Sequence, residues 1–185
     1  SSNPSPSISS IRPTGKRAAL LAVLSEKVSS CRSCPLGSRR LKAVFGVGSA
    51  EAHVVFIGEG PGFEEDHRGE PFVGRSGQLL DRIMESIGLS RRSVYIANIV
   101  KCHPMKDPSD PEARANDRPP PPEQISACRG YLDEQLLIIA PKVIVTLGAV
   151  AARVLPGDDA PITKIRGQWR EYTPAGSQVR IKLLP

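Results

Sequence analysis

Four short apolar runs rich in β-branched residues alternate with helical periods along this chain. That alternation limits what it can fold into more than any other feature. His53 to Ile57 stops at Gly58, Val94 to Val100 contains Asn98, Val143 to Leu147 stops at Gly148, and Val179 to Leu184 precedes Pro185. Each has the length and residue types of a strand. Between them, Leu79, Leu80, Ile83, Met84 and Ile87 recur at helical spacing after Ser76-Gly77, and Gly88 supplies a stop. Ile125, Cys128, Leu132, Leu136 and Ile139 do the same after Pro121-Pro122, where proline suits the first helical turn. Arg17 to Val28 and Ala149 to Leu155 read as two further helices, and Ile162 to Tyr172 as an irregular or hairpin segment around Gly167. Strands joined through helices pair in parallel, with helices over both faces of the sheet. The expectation is an α/β chain with a parallel sheet of four strands, binding its ligand beyond the strands' carboxyl ends.

The 185 residues suit one domain with a two-sided core. The Ser/Pro-rich start reads as a disordered tail over 1–13, ahead of a single domain over 14–185. No apolar run approaches a membrane span, and the start lacks the apolar stretch of a signal peptide. The expected compartment is therefore the cytoplasm, where four cysteines serve as metal ligands or free thiols rather than disulfides. A net charge of +6 suits a polyanionic partner. Arg39, Arg40, Lys42, Arg75 and Lys101 are candidate phosphate contacts, though each is by default a solvated surface charge.

Cys31 and Cys34 form a C-x-x-C pair; Cys102 lies just beyond the second strand run and Cys128 within the following helix. Four thiolates match one iron–sulfur cluster or one tetrahedral zinc. Zinc usually takes two close pairs, and here the second pair is split by a long proline-dense segment, which favours the cluster. The bland alternative is two buried cysteines beside an accidental pair. A cluster would act chiefly as a staple between the N-terminal helix and the central segments.

Gly58-Glu59-Gly60-Pro61-Gly62 follows a strand, as a dinucleotide loop does. Pro61 removes an N–H that a phosphate would want, and Glu59 sets a carboxylate beside it. The loop better suits a neutral heterocycle that both donates and accepts. An ordinary tight turn is the alternative.

This loop, followed by Glu64-Glu65-Asp66, then Gly69-Glu70-Pro71-Phe72-Val73-Gly74-Arg75-Ser76-Gly77, then Asn98-Ile99-Val100-Lys101-Cys102, resembles the family 4 uracil-DNA glycosylases. Those are iron–sulfur enzymes of base-excision repair, and the resemblance runs from Cys31 to Leu184. It implies an α/β/α sandwich over a four-stranded parallel sheet, a 4Fe-4S cluster on Cys31, Cys34, Cys102 and Cys128, and a monomeric enzyme acting on uracil-containing DNA without a membrane. It implies hydrolysis of the bond between uracil and deoxyribose. Gly58, Glu59 and Gly60 would line the base, Phe72 would stack on it, and Asn98 would read its edge. The Asn98 carbonyl would accept from N3–H and its amide would donate to O4, a pattern cytosine inverts. Glu59 would position the attacking water, with Glu65 and Asp66 as acidic alternatives; a carboxylate suits the sugar cation that develops.

Two features depart from the resemblance. The family's His-Pro motif would follow the fourth strand, where this chain stops at Leu183-Leu184-Pro185, so weak activity or none is expected of the chain as written. His103-Pro104 does not replace it, and neither His53 nor His67 matches. A sister group that cross-links itself to uracil carries a nucleophilic histidine in the region of Met105 to Arg118, where this chain has none. The competing readings are a non-catalytic, cluster- or zinc-bearing nucleic-acid-binding module and a nucleotide-binding α/β protein, the latter opposed by Pro61 and Glu59.

Overall fold

Val55 and Ile57 face one side of their strand and Phe56 the other, and this alternation divides the core in two. The computed structural model describes residues 13–185, so the tail expected over 1–13 lies outside the described residues except for Pro13. Pro13 opens α1 (Pro13–Ser30), a turn ahead of the expected helix. A short α2 (Leu36–Arg39), a two-residue β1 (Val47–Gly48) and β2 (Val54–Gly58) follow. Then come α3 (Phe63–Arg68), α4 (Arg75–Ser86), β3 (Tyr95–Asn98) and α5 (Pro122–Ile139). The chain closes through β4 (Val143–Thr146), α6 (Ala149–Val154), α7 (Ile162–Ile165), β5 (Arg170–Tyr172) and β6 (Ile181–Leu184).

The sheet has the order β1-β3-β2-β4-β6-β5. The four expected strands are its parallel centre, and the sheet is wider than expected because β1 and β5 add antiparallel edges. At two and three residues, these edges carry too little pattern to separate them from loops. The chain runs from β2 to β3 on one side and later returns to β4 on the other. That reversal opens a crevice beyond the carboxyl end of β2.

Leu21 of α1, Leu132, Leu136 and Ile139 of α5, and Ala151 of α6 cover one face. Leu80 and Met84 of α4 cover the other, against Phe56, Val94 and Ile96. The resulting three layers are the expected α/β/α arrangement. α5 buries the stripe read from its period, apart from the half-buried Ile125. α4 differs: Leu79, Ile83 and Ile87 are 52%, 49% and 63% exposed, because the small cluster beneath the helix accepts only its Leu80–Met84 line. Among the described residues, no helix is long and apolar enough to cross a membrane.

Candidate active site

Gly58 ends β2 where two walls converge. A methyl group on it would sit 2.4 Å from Phe72 Cζ and 2.6 Å from Asn98 Oδ1, so the missing side chain is what holds the slot open. Beyond it lies a cleft of about 660 Å³ whose lining includes Glu59, Phe72, Asn98, Pro104 and Asp117.

Asn98 is the last residue of β3 and is 2% exposed. The ladder to β2 pairs it with Gly58, and the backbone beyond continues the stitch through Ile99 N–H to Gly58 O (2.9 Å) and Val100 N–H to Glu59 O (3.1 Å). The amide therefore sits at the end of a rigid strand, beside the glycine loop.

Phe72 is built differently. It lies in a loop with φ of +55°, a left-handed conformation unusual for a bulky residue. Arg91 holds it there, its guanidinium donating to Phe72 O and to Pro71 O (2.9 Å) while Nε pairs with Asp81 (2.6 Å). Gly77 lets the loop lie against α4, since a methyl there would fall 1.7 Å from Phe72 O. Glu65 ties the same loop to the glycine loop: Oε1 accepts from Val73 N (3.0 Å) and Gly74 N (3.1 Å), and Oε2 accepts from Gly62 N (3.1 Å). Both oxygens of Glu65 are thus committed to backbone N–H groups.

Asp66 is equally committed. It is fully buried and accepts from Leu41 N (2.9 Å) and Lys42 N (3.3 Å). Its other oxygen faces His103 Nδ1 at 3.4 Å, while His103 Nε2 lies 2.5 Å from Asp117 Oδ1. His103 is fully buried, so its place in the fold is a bridge behind the cleft. Of the three acidic candidates, Glu59 alone lines the cleft without being locked to backbone N–H groups. Burial raises its pKa, the Asp117 carboxylate adds to the rise, and Arg153 opposes it.

The four cysteines are free and line one small cavity between α1, α2, the turn after β3, and α5. Arg40 donates to Cys102 Sγ at 2.9 Å, and Lys101 N–H points at Cys128 Sγ at 3.3 Å. Burial pushes the Cys102 thiol up to about 11 against the pull of Arg40, and pushes Cys128 upward too. At Cys31, burial is outweighed by hydrogen bonds from Ser33 and Tyr131, and the thiol lies below its ordinary value. Two candidate phosphate contacts therefore belong inside: Lys101 is 1% exposed and Arg40 is drawn to the thiols, so neither is a solvated charge. Among the described residues, no three His, Cys, Asp or Glu side chains converge as ligands on one metal ion.

Sequence reasoning missed Asp117, Arg153 and Arg91. Asp117 lies in the long proline-dense segment, and an isolated bridge from Met105 to Asp117 folds it back onto the cleft. Arg91 and Arg153 carried no signal beyond their charge.

What faces the slot suits a flat heterocycle with donor and acceptor edges, so fold and site together define an α/β protein of the nucleobase-recognising kind. The chain belongs to the uracil DNA glycosylase superfamily, whose family model matches residues 45–183. It is similar to the Type-4 uracil-DNA glycosylase of Thermotoga maritima, at 44% identity over 82% of this chain and 74% of that protein. It is also similar to the Type-4 uracil-DNA glycosylase of Archaeoglobus fulgidus, at 40% identity over 84% of this chain and 75% of that protein.

Proposed function

We propose that this protein is a uracil-DNA glycosylase that hydrolyses the N-glycosidic bond of uracil in DNA. The observation that carries the reading is the convergence of Phe72 and Asn98 on the open space at Gly58, within a chain of this superfamily. A uracil flipped from the duplex enters the slot and stacks on the Phe72 ring. The Asn98 carboxamide accepts from uracil N3–H through its oxygen and donates to O4 through its nitrogen. Cytosine offers an acceptor at N3 and a donor at C4, so it leaves both groups of a buried amide unpaired. Glu59 orients the attacking water and, as a carboxylate, stabilises the positive charge that develops on the sugar. Glu65 positions the two loops that carry Glu59 and Phe72.

The cysteine cavity fits a 4Fe-4S cluster. All four thiols line it, N–H groups reach three of the sulfurs, and the cationic side chain of Arg40 offsets thiolate charge. When bound, the cluster supplies a four-point tie between the N-terminal helices, the turn after β3, and α5. We take 14–185 as one domain acting as a monomer, since the two walls and Glu59 all come from this chain. A cytoplasmic setting, which keeps thiols reduced, suits the four free cysteines.

The test is to incubate the protein with oligonucleotides carrying one uracil, cytosine or thymine and to measure free base by chromatography, with iron quantified in the same sample. Release of uracil alone, from a sample holding about four irons per chain, is the expected result. No uracil release from an iron-loaded sample, together with no preference for DNA carrying a non-hydrolysable deoxyuridine over deoxycytidine DNA, overturns the glycosylase reading.

A further inference from the structure

Lys101 is among the largest fully buried side chains of the protein, at 1% exposure. Its ammonium donates to the carbonyl oxygen of Asn98 at 2.9 Å and to Gln135 Oε1 at 2.5 Å, and lies 5.9 Å from the centre of the Phe45 ring. Gln135 is held in turn by donating through Nε2 to Phe45 O (2.9 Å) and to Tyr95 Oη (3.2 Å). These partners are all neutral. An ammonium buried among neutral groups is costly unless negative charge lies close by. The adjoining source of such charge is the cysteine cavity: Lys101, Cys102 and Cys128 line it together, and the backbone N–H of Lys101 points at Cys128 Sγ. A cluster held by four thiolates would put anionic charge there.

The Asn98 carbonyl is the point where this network meets the slot. From Gly58 and Glu59 the backbone after β3 is pinned on the cleft side, and Lys101 pins it from the interior. Without the lysine, the peptide that follows Asn98 keeps its sheet neighbours on one side and loses its fixed partner on the other. A tilt of that peptide turns the carboxamide away from the plane of the base.

Resting on the glycosylase reading above, we propose that Lys101 is a positioning residue for uracil recognition: its ammonium, balanced by a thiolate-bound cluster, clamps the Asn98 backbone, so that the state of the cysteine cavity sets how well Asn98 reads the base. The cavity then does more than staple the chain, because it governs specificity at a site it does not touch.

The experiment compares the unmodified protein with Lys101→Met, which keeps most of the unbranched stem of the side chain and removes its charge. Fluorescence anisotropy measures binding to DNA carrying one 2′-fluoro-2′-deoxyuridine, which resists hydrolysis, and to the same DNA carrying deoxycytidine at that position. Iron content, visible absorption and thermal midpoint are taken on each sample. Lys101→Met is expected to hold its iron and to bind deoxycytidine DNA as before. It should lose about ten-fold of its preference for the uracil analogue, the worth of one hydrogen bond to a charged group. Combined with Asn98→Ala, Lys101→Met should cost nothing further, because the lysine acts only through that residue. An unchanged preference in an iron-loaded Lys101→Met, or an additive loss in the double variant, overturns the proposal. If Lys101→Met does not fold, Gln135→Met removes one acceptor of the ammonium and must lower the same preference. A failure of the glycosylase reading looks different: the unmodified protein itself would not distinguish the two DNAs.

Discussion

The two walls of the slot are made by opposite strategies. Asn98 ends a central strand, almost wholly buried, and its position follows from the sheet ladder with Gly58. Phe72 lies in a loop with no ladder and an unfavourable φ of +55°, and is held by side chains brought from elsewhere: Arg91 on its carbonyl, Glu65 on the N–H groups after it. The difference matches what each wall has to do. Hydrogen-bond readout discriminates only if donor and acceptor stay fixed, so it belongs on the most rigid element. Stacking tolerates small displacements and is nearly blind to which base is bound, so a clamped loop is enough. Damage to the strand wall should therefore change which base is accepted, and damage to the loop wall how tightly any base is held.

Gly58→Ala strikes both walls together and should have the largest effect. Its methyl meets the Phe72 ring and the Asn98 oxygen where the base must lie, and an excision assay should read a loss of about 1,000-fold or more. Asn98→Ala should follow, with a loss of about 100-fold or more on uracil and a collapse of the uracil-to-cytosine ratio. Phe72→Ala should weaken binding by about 10-fold while leaving that ratio in place, since ring stacking contributes about 1–3 kcal/mol per base. If Phe72→Ala changed base preference as much as Asn98→Ala does, the division of labour between the walls would be wrong.

The two walls also differed in how legible they were. The central strands and their order of helices could be read because β-branched runs and 3.6-residue periods survive in the sequence as patterns. Asn98 was visible because an asparagine inside such a run is out of place, and Gly58 because it ends one. Phe72 could be picked out only through a resemblance in which it stands between Pro71 and Val73; nothing in its neighbours announces a left-handed phenylalanine. Its clamps were invisible for a physical reason. Arg91 is 19 residues away in sequence and Glu65 is one of three successive acids, so only the folded loop shows which carboxylate turns inward. The same limit hid Lys101 and Arg40, because charge is read as surface until a buried partner is seen.

Arg91 gives the next smaller effect. Its guanidinium serves two carbonyls and Asp81 at once, a fork that lysine cannot reproduce. Arg91→Lys should weaken uracil-DNA binding by about 3- to 10-fold with base preference intact, the scale of one or two lost hydrogen bonds. In a Phe72→Ala background the same change should have almost no further effect, which a double-mutant cycle can read. An additive loss would mean that Arg91 supports the fold at large rather than the aromatic wall.

Glu59 belongs to neither wall, and its titration is the smallest and most selective test of the comparison. Burial first, and the Asp117 carboxylate after it, raise the pKa of Glu59, while Arg153 pulls it down. The carboxylate is the working form, so the rate falls as the pH drops through that raised value, at a higher pH than for an ordinary glutamate. Arg153→Met removes the opposing cation and should move this acid limb upward, and Asp117→Asn should move it downward. Both shifts should be small, because Arg153 and Asp117 are exposed and screened. The shifts should shrink as salt is added. Phe72→Ala and Asn98→Ala leave every one of these charges in place, so pH–rate profiles of the two wall variants should keep the limb where it is while their rates fall. A limb that moved with Asn98→Ala alone would show the strand wall taking part in the protonation of the carboxylate as well as in reading the base.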